Sequence, residues 1–78
     1  MEMPNHTVRE CVPDSWKVLA DKAYSALRDD NYLRVVLCQR DDDYVTWTVN
    51  LSAGGAHHGH YFDTFDKAFS DYARRTLR

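Results

Sequence analysis

Glycine, proline and cysteine are scarce in this sequence, with three, two and two among 78 residues. So few glycines leave no phosphate-cradling loop and no glycine-flanked nucleophile turn, since Gly54-Gly55 precedes a strand pattern rather than a helix. Two cysteines, Cys11 and Cys38, are too few for a disulfide framework. They are expected as free thiols packed like small apolar groups, with their pairing left open. No apolar run approaches the roughly 20 residues needed to cross a bilayer. Positive charge is not in excess either: 10 basic residues against 12 acidic ones give −2, which offers no general attraction for nucleic-acid phosphate or anionic lipid. The start, MEMPNHTVRE, has neither the basic patch nor the apolar stretch of a secretory signal, so the expected setting is a cytoplasm.

What remains is a globular composition, 44% hydrophobic and 13% aromatic, on a chain of one-domain length. Residues 1–12 read as an irregular segment and 13–78 as a single domain. Pro13-Asp14-Ser15 is a helix start, after which Trp16, Leu19, Ala20, Ala23 and Leu27 recur at helical spacing. Asp29, Asp30 and Asn31 end that helix. The period then falls to two. Leu33, Val35 and Leu37 alternate with Tyr32, Arg34 and Val36, and after a turn at Asp41-Asp42-Asp43, Val45, Trp47, Val49 and Leu51 alternate with Tyr44, Thr46, Thr48 and Asn50. A third strand is expected at about Ala56 to Phe62, weakened by Gly59, and Asp63 or Thr64 caps a last helix whose apolar stripe is Phe65, Phe69 and Tyr72.

The predicted fold class is therefore α+β, a two-layer α-β-β-β-α domain: a three-stranded antiparallel sheet with both helices on one face. Trp16, Leu19, Leu33, Val35, Val45, Trp47, Val49, Phe65, Phe69 and Tyr72 would form the core. The other face would stay open, carrying Tyr32, Arg34, Arg40, Tyr44, Thr46, Thr48 and Asn50, flanked by the acidic groups Asp29, Asp30, Asp41, Asp42 and Asp43. Those twelve residues are the candidate partner-binding set, because tyrosine and arginine are favoured at interfaces and paired acidic patches steer basic partners.

Three chemical readings compete with that one. In a regular strand His58 and His60 share a face and His57 takes the other, short of the four ligands of a tetrahedral zinc site, so no metal or other cofactor is expected. The three aspartates lack the spacing, glycine and closing glutamate of a calcium loop. A pairing of Cys38 with His58 or His60 across neighbouring strands is the one catalytic arrangement the order of elements would permit. No catalytic residue is assigned.

Two resemblances bear on function. The α-β-β-β-α order over residues 14–78 resembles the double-stranded-RNA-binding domain, which implies phosphate contacts at the start of the last helix. This chain has Asp63-Thr64-Phe65-Asp66-Lys67 there, where that family is rich in lysine. In length, acidity, single-domain organisation and lack of catalytic motifs, the chain resembles the small phage-encoded inhibitors of the anti-CRISPR type. That likeness implies a non-enzymatic protein acting in a bacterial host cytoplasm. Its partner would be a CRISPR effector or another basic nucleic-acid-binding complex, blocked by charge-assisted occlusion without direct binding to nucleic acid. A homodimeric regulatory protein is the alternative.

Overall fold

The computed structural model describes residues 6–23 and 33–75, so Asp29, Asp30 and Tyr32 of the candidate set lie outside the described residues. The elements are α1 (Val8–Cys11), β1 (Lys17–Ala23), β2 (Leu33–Arg40), β3 (Asp43–Asn50), β4 (Ala56–Phe62) and α2 (Phe65–Arg75). The α+β class holds. The sheet, however, has four antiparallel strands in the order β1-β2-β3-β4 rather than three.

The extra strand is the first half of the predicted helix. Lys17–Ala23 carries both periods: Trp16, Leu19, Ala20 and Ala23 suit a helix, while Val18, Ala20 and Lys22 alternate as a strand does. Tertiary pairing decides between them. Val35, Val36, Leu37 and Cys38 are four consecutive residues with at most 1% exposure. A strand buried on both faces needs a neighbour on each edge, and β1 supplies the second one, pairing Val18 with Cys38 and Lys22 with Val35. Leu19 falls at the irregularity between Val18 and Ala20 and is left exposed instead of entering the core.

Part of the segment read as irregular is ordered. Val8–Cys11 forms one helical turn closed by a capping box, in which the Glu10 amide donates to Thr7 Oγ1 (3.2 Å) and the Thr7 amide to Glu10 Oε1 (2.8 Å). Arg9 fixes the loop that follows by donating to the carbonyls of Trp16 (2.7 Å), Val12 (3.3 Å) and Pro13 (2.8 Å). Cys11, Val12 and Trp16 are thereby laid on the sheet.

Which face they cover depends on the β2–β3 turn. Arg40 pairs with Asp43, so Asp41 and Asp42 alone form the turn, Asp41 with φ 53°. Asp43 already belongs to β3. The predicted three-residue turn would have paired residues of like parity. The two-residue turn pairs Cys38 with Val45, Val36 with Trp47 and Leu37 with Thr46. A one-residue change of register moves every side chain of one strand to the opposite face of its neighbour. The first face accordingly holds Val36, Cys38, Val45, Trp47, Val49 and Leu51 under Cys11, Val12 and Trp16. The second holds Val35, Leu37, Tyr44 and Phe62 under Ala68 and Tyr72 of α2. Both helices on one side is thus overturned: each face has its own cover, and the molecule is three layers thick.

Gly59 illustrates how closely the first face is packed. A Cβ there would lie 2.5 Å from Trp47 Nε1, and that indole meets Trp16 edge to face at 5.4 Å and Tyr61 at 6.2 Å. The ring cannot withdraw without disturbing both neighbours. Gly59→Ala is expected to lower unfolding stability by about 1–3 kcal/mol in chemical denaturation, an overpacking cost; an unchanged midpoint would show that the Trp47 ring moves freely.

Candidate functional site

The register change closes the surface that the sequence reading left open. Thr46 is fully buried and Thr48 is 9% exposed, both beneath α2. A hydroxyl buried in a sheet face needs a partner, and α2 provides two. Thr46 Oγ1 donates to Asp71 Oδ2 (2.6 Å), and His60 Nδ1 lies 2.9 Å from that same oxygen. Arg75 donates through Nη1 to the carbonyl and hydroxyl oxygens of Thr46 (both 3.0 Å) and through Nη2 to Thr48 Oγ1 (2.8 Å). Among the described residues no buried side-chain polar atom lacks a partner. Thr46 and Thr48 are therefore structural and leave the candidate binding set.

Arg34 leaves the proposed open face too. It sits on the first face, where Nε donates to Asp21 Oδ1 of β1 at 2.7 Å. Asn50 caps the β3–β4 turn by accepting the amides of Ser52 (2.9 Å) and Ala53 (3.0 Å) on Oδ1. Arg40, Asp41, Asp42, Asp43 and Tyr44 remain at the surface or partly so. The guanidinium of Arg40 covers the Trp16 ring at 4.2 Å.

The histidines are also rearranged. Register breaks in β4 between the partners of Thr46 and Thr48, with His58 at φ 57°. That bulge sets His57 opposite Thr48 and His60 opposite Thr46, so these two share the α2 face, where regular alternation would have paired His58 with His60. His60 is occupied by Asp71. Among the described residues no group of three or more His, Cys, Asp or Glu side chains is placed to hold a metal ion. Cys38 lies on β2 with β3 between it and β4, so neither His58 nor His60 neighbours it across adjacent strands, and His60 is on the opposite face.

What the fold gathers is one end of the sheet. The Asp41-Asp42 turn, the end of β4 and the start of α2 meet there, bringing Asp41, Asp42, Asp43, Asp63 and Asp66 together against Lys17, Arg40 and Lys67. Lys67 donates to Asp63 Oδ1 at 3.1 Å, and that hydrogen bond with the ammonium charge holds the Asp63 carboxyl below its usual range. The other four carboxylates have no ion pair among the described residues. A cleft of about 490 Å³ opens at this end, lined by Trp16, Arg40, Asp43, Tyr61, Phe62, Asp63 and Lys67.

Beside it runs a ladder of rings, of which the sequence assigned Phe65, Phe69 and Tyr72 to the core and Tyr44 to the open face. Tyr44 meets Phe65 edge to face at 5.8 Å, Phe65 stacks on Phe69 at 5.7 Å, and Phe69 tilts against Tyr72 at 6.2 Å. Phe65 and Phe69 are 44% and 49% exposed. The helix turns a different line inward: Ala68, Asp71, Tyr72 and Arg75, at spacings of three and four. Gln39 ties the ladder to the acidic turn, its Nε2 lying 3.2 Å from both the Asp41 carbonyl and the Tyr44 hydroxyl.

No protein-family model matches the chain, and no curated protein or solved structure matches it either. Among the described residues, no helix is long and apolar enough to cross a membrane.

Two measurements check this geometry. Burial raises the Asp71 carboxyl, but the hydrogen bonds from Thr46 and His60, with the charges of His60 and Arg75, outweigh it and lower the group overall. Its stabilising contribution is then present above the ordinary carboxylate range and lost as pH falls through the lowered value. Asp71→Asn should cost about 1–3 kcal/mol at neutral pH and flatten the acid limb of the stability–pH curve; an acid limb as steep as the parent's would assign that limb to other carboxylates. Burial likewise pushes the Cys38 thiol up to about 11, with Arg9 opposing. Cys11 and Cys38 are buried and unpaired, so neither should react with a thiol reagent at mildly alkaline pH until the chain unfolds.

Proposed function

We propose that this chain is a non-enzymatic docking module that engages a basic, nucleic-acid-handling protein and occludes its binding groove. A CRISPR effector complex is the partner class that the anti-CRISPR resemblance implies. The observation that carries the reading is the cluster of exposed carboxylates at the β2–β3 turn end, Asp41, Asp42, Asp43 and Asp66, none with an ion pair among the described residues, beside partly exposed aromatic rings. Five carboxylates there, counting Asp63, outnumber the three cations Lys17, Arg40 and Lys67, and the net negative potential speeds approach of a basic partner and competes with phosphate for it. Aromatic surface next to them supplies the contact area that charge alone does not.

The alternatives fit less well. A fourth strand in place of the first long helix removes the element order shared with the double-stranded-RNA-binding domain, and Asp63 and Asp66 at the start of α2 repel phosphate. A homodimer formed through sheet edges would use β1 or β4, and both strands are interrupted by register breaks that spoil an edge as a template.

The test is binding to a purified basic effector complex at graded salt. Affinity is expected to fall several-fold between about 50 and 300 mM salt, and the double substitution Asp41→Asn, Asp42→Asn should weaken binding about tenfold at the low end. Binding indifferent to both salt and the substitutions would end the charge-assisted reading.

A further inference from the structure

We infer that the ring ladder Tyr44–Phe65–Phe69 is the anchor of this docking end, and that it takes an apolar side chain flanked by basic residues from a segment of the partner protein. The inference rests on the acidic end being a docking site, and adds which surface grips and what it grips.

Three observations converge. First, Phe65 and Phe69 are left 44% and 49% exposed, because α2 already meets the sheet through Ala68, Tyr72 and the Asp71–Arg75 network, with Tyr44 packed at the margin of that core. Second, the rings are pre-organised. Phe65 and Phe69 lie one helical turn apart and stack at an interplanar angle of 22°, with Tyr44 holding the Phe65 edge from the sheet. A pair already ordered loses little side-chain entropy when covered, which is how aromatic anchors contribute most of an interface's affinity. Third, the charge along the ladder is polarised. Asp41 and Asp42 stand at the Tyr44 end, and Asp66, three residues before Phe69, borders the stack. At the opposite end the Lys22 ammonium sits over Tyr72 at 4.9 Å. A bound segment is therefore oriented, its basic residues toward Tyr44. Charge complementarity selects a basic, apolar-anchored segment over an acidic or purely polar one.

The probe is a short helix-forming peptide carrying two leucines one turn apart among arginines. Two controls replace the leucines with serine or the arginines with glutamate. The full chain should bind the first peptide at least tenfold more tightly than either control, and Phe65→Ser and Phe69→Ser should each weaken it roughly tenfold while circular dichroism shows the fold intact. As a check that does not depend on these variants, the peptide should shift the backbone NMR signals of Tyr44 and of 65–69 and leave those of Cys11, Val12 and Trp16 in place. If the aspartate substitutions weaken binding but the phenylalanine substitutions do not, the ladder is not the anchor, while the acidic end keeps its role. If the reverse holds, the ladder stands and charge-assisted docking falls. Equal affinity for all three peptides would overturn the inference. So would a dimer in sedimentation that Phe69→Ser dissociates, which would assign the ladder to a second copy of this chain.

Discussion

The two-residue turn at Asp41-Asp42 is the constraint on which the rest of the molecule depends. It pairs Arg40 with Asp43 and sets the β2–β3 register, so that the hydroxyls of Thr46 and Thr48 share a face with Val35 and Leu37. That face must be covered, and a cover over threonines has to bring polar partners. Helix α2 is accordingly rotated to place Asp71 and Arg75 over them, which swings Phe65 and Phe69 to the flank. A turn one residue longer would have set Leu33, Val35 and Leu37 beside Val45 and Trp47, leaving the threonines with the arginines on a face that needed no cover.

Two cores of different character result. The first face is closed by the amino-terminal loop, whose Trp16 meets Trp47 edge to face and Tyr61 at a tilt, Tyr61 in turn meeting Trp47 edge to face. That arrangement depends on Arg9 satisfying three loop carbonyls and on Gly59 leaving room for the Trp47 indole. The second is mixed, part aliphatic and part hydrogen-bond network. The network adds little net energy, since each bond replaces one to water, yet removing a member leaves a buried group unpaired at full cost. It therefore fixes the rotation of α2 more strongly than it stabilises the chain.

Much of this was legible in the sequence, and the failures trace to particular residues. β3, β4 and α2 lie where alternation, turn residues and capping place them, β3 having the clearest period and β4 keeping its bounds despite the bulge. Residues 17–23 failed because seven residues fit both periods. The informative signal lay elsewhere, in the unbroken apolar run Val35–Cys38, which marks a central strand with neighbours on both sides. The acidic turn was recognisable as a surface feature, but its length was not, and the length controls the parity of every pair beyond it. Asp63 and Asp66 joined the acidic end only through the meeting of β4 and α2 with the turn, a proximity no local pattern contains. On α2, Tyr72 entered the core as read from the sequence, while Phe65 and Phe69 were misplaced for a related reason. Phe65/Phe69 and Ala68/Tyr72 are adjacent pairs at helical spacing, and the polar requirement of Thr46 and Thr48 chose between them.

Exposing two phenylalanines is costly for a chain of this size. A 78-residue domain buries a smaller share of its surface than larger ones do, and each large apolar side chain left half in water forgoes about 1 kcal/mol of burial. Had α2 turned Phe65 and Phe69 onto the sheet, Thr46 and Thr48 would have been buried without partners, at about 1–3 kcal/mol for each stranded group. The comparison favours the observed rotation, so exposure of the rings follows from the register and by itself says nothing of use. The same register holds Phe65, with Phe69 stacked on it, against Tyr44, which Gln39 ties to a turn of exposed carboxylates. A solvent-facing aromatic stack bordered by anions on one side and a lysine on the other is a surface that the proposed docking segment would have to match with opposite polarity, a requirement no apolar core position would impose.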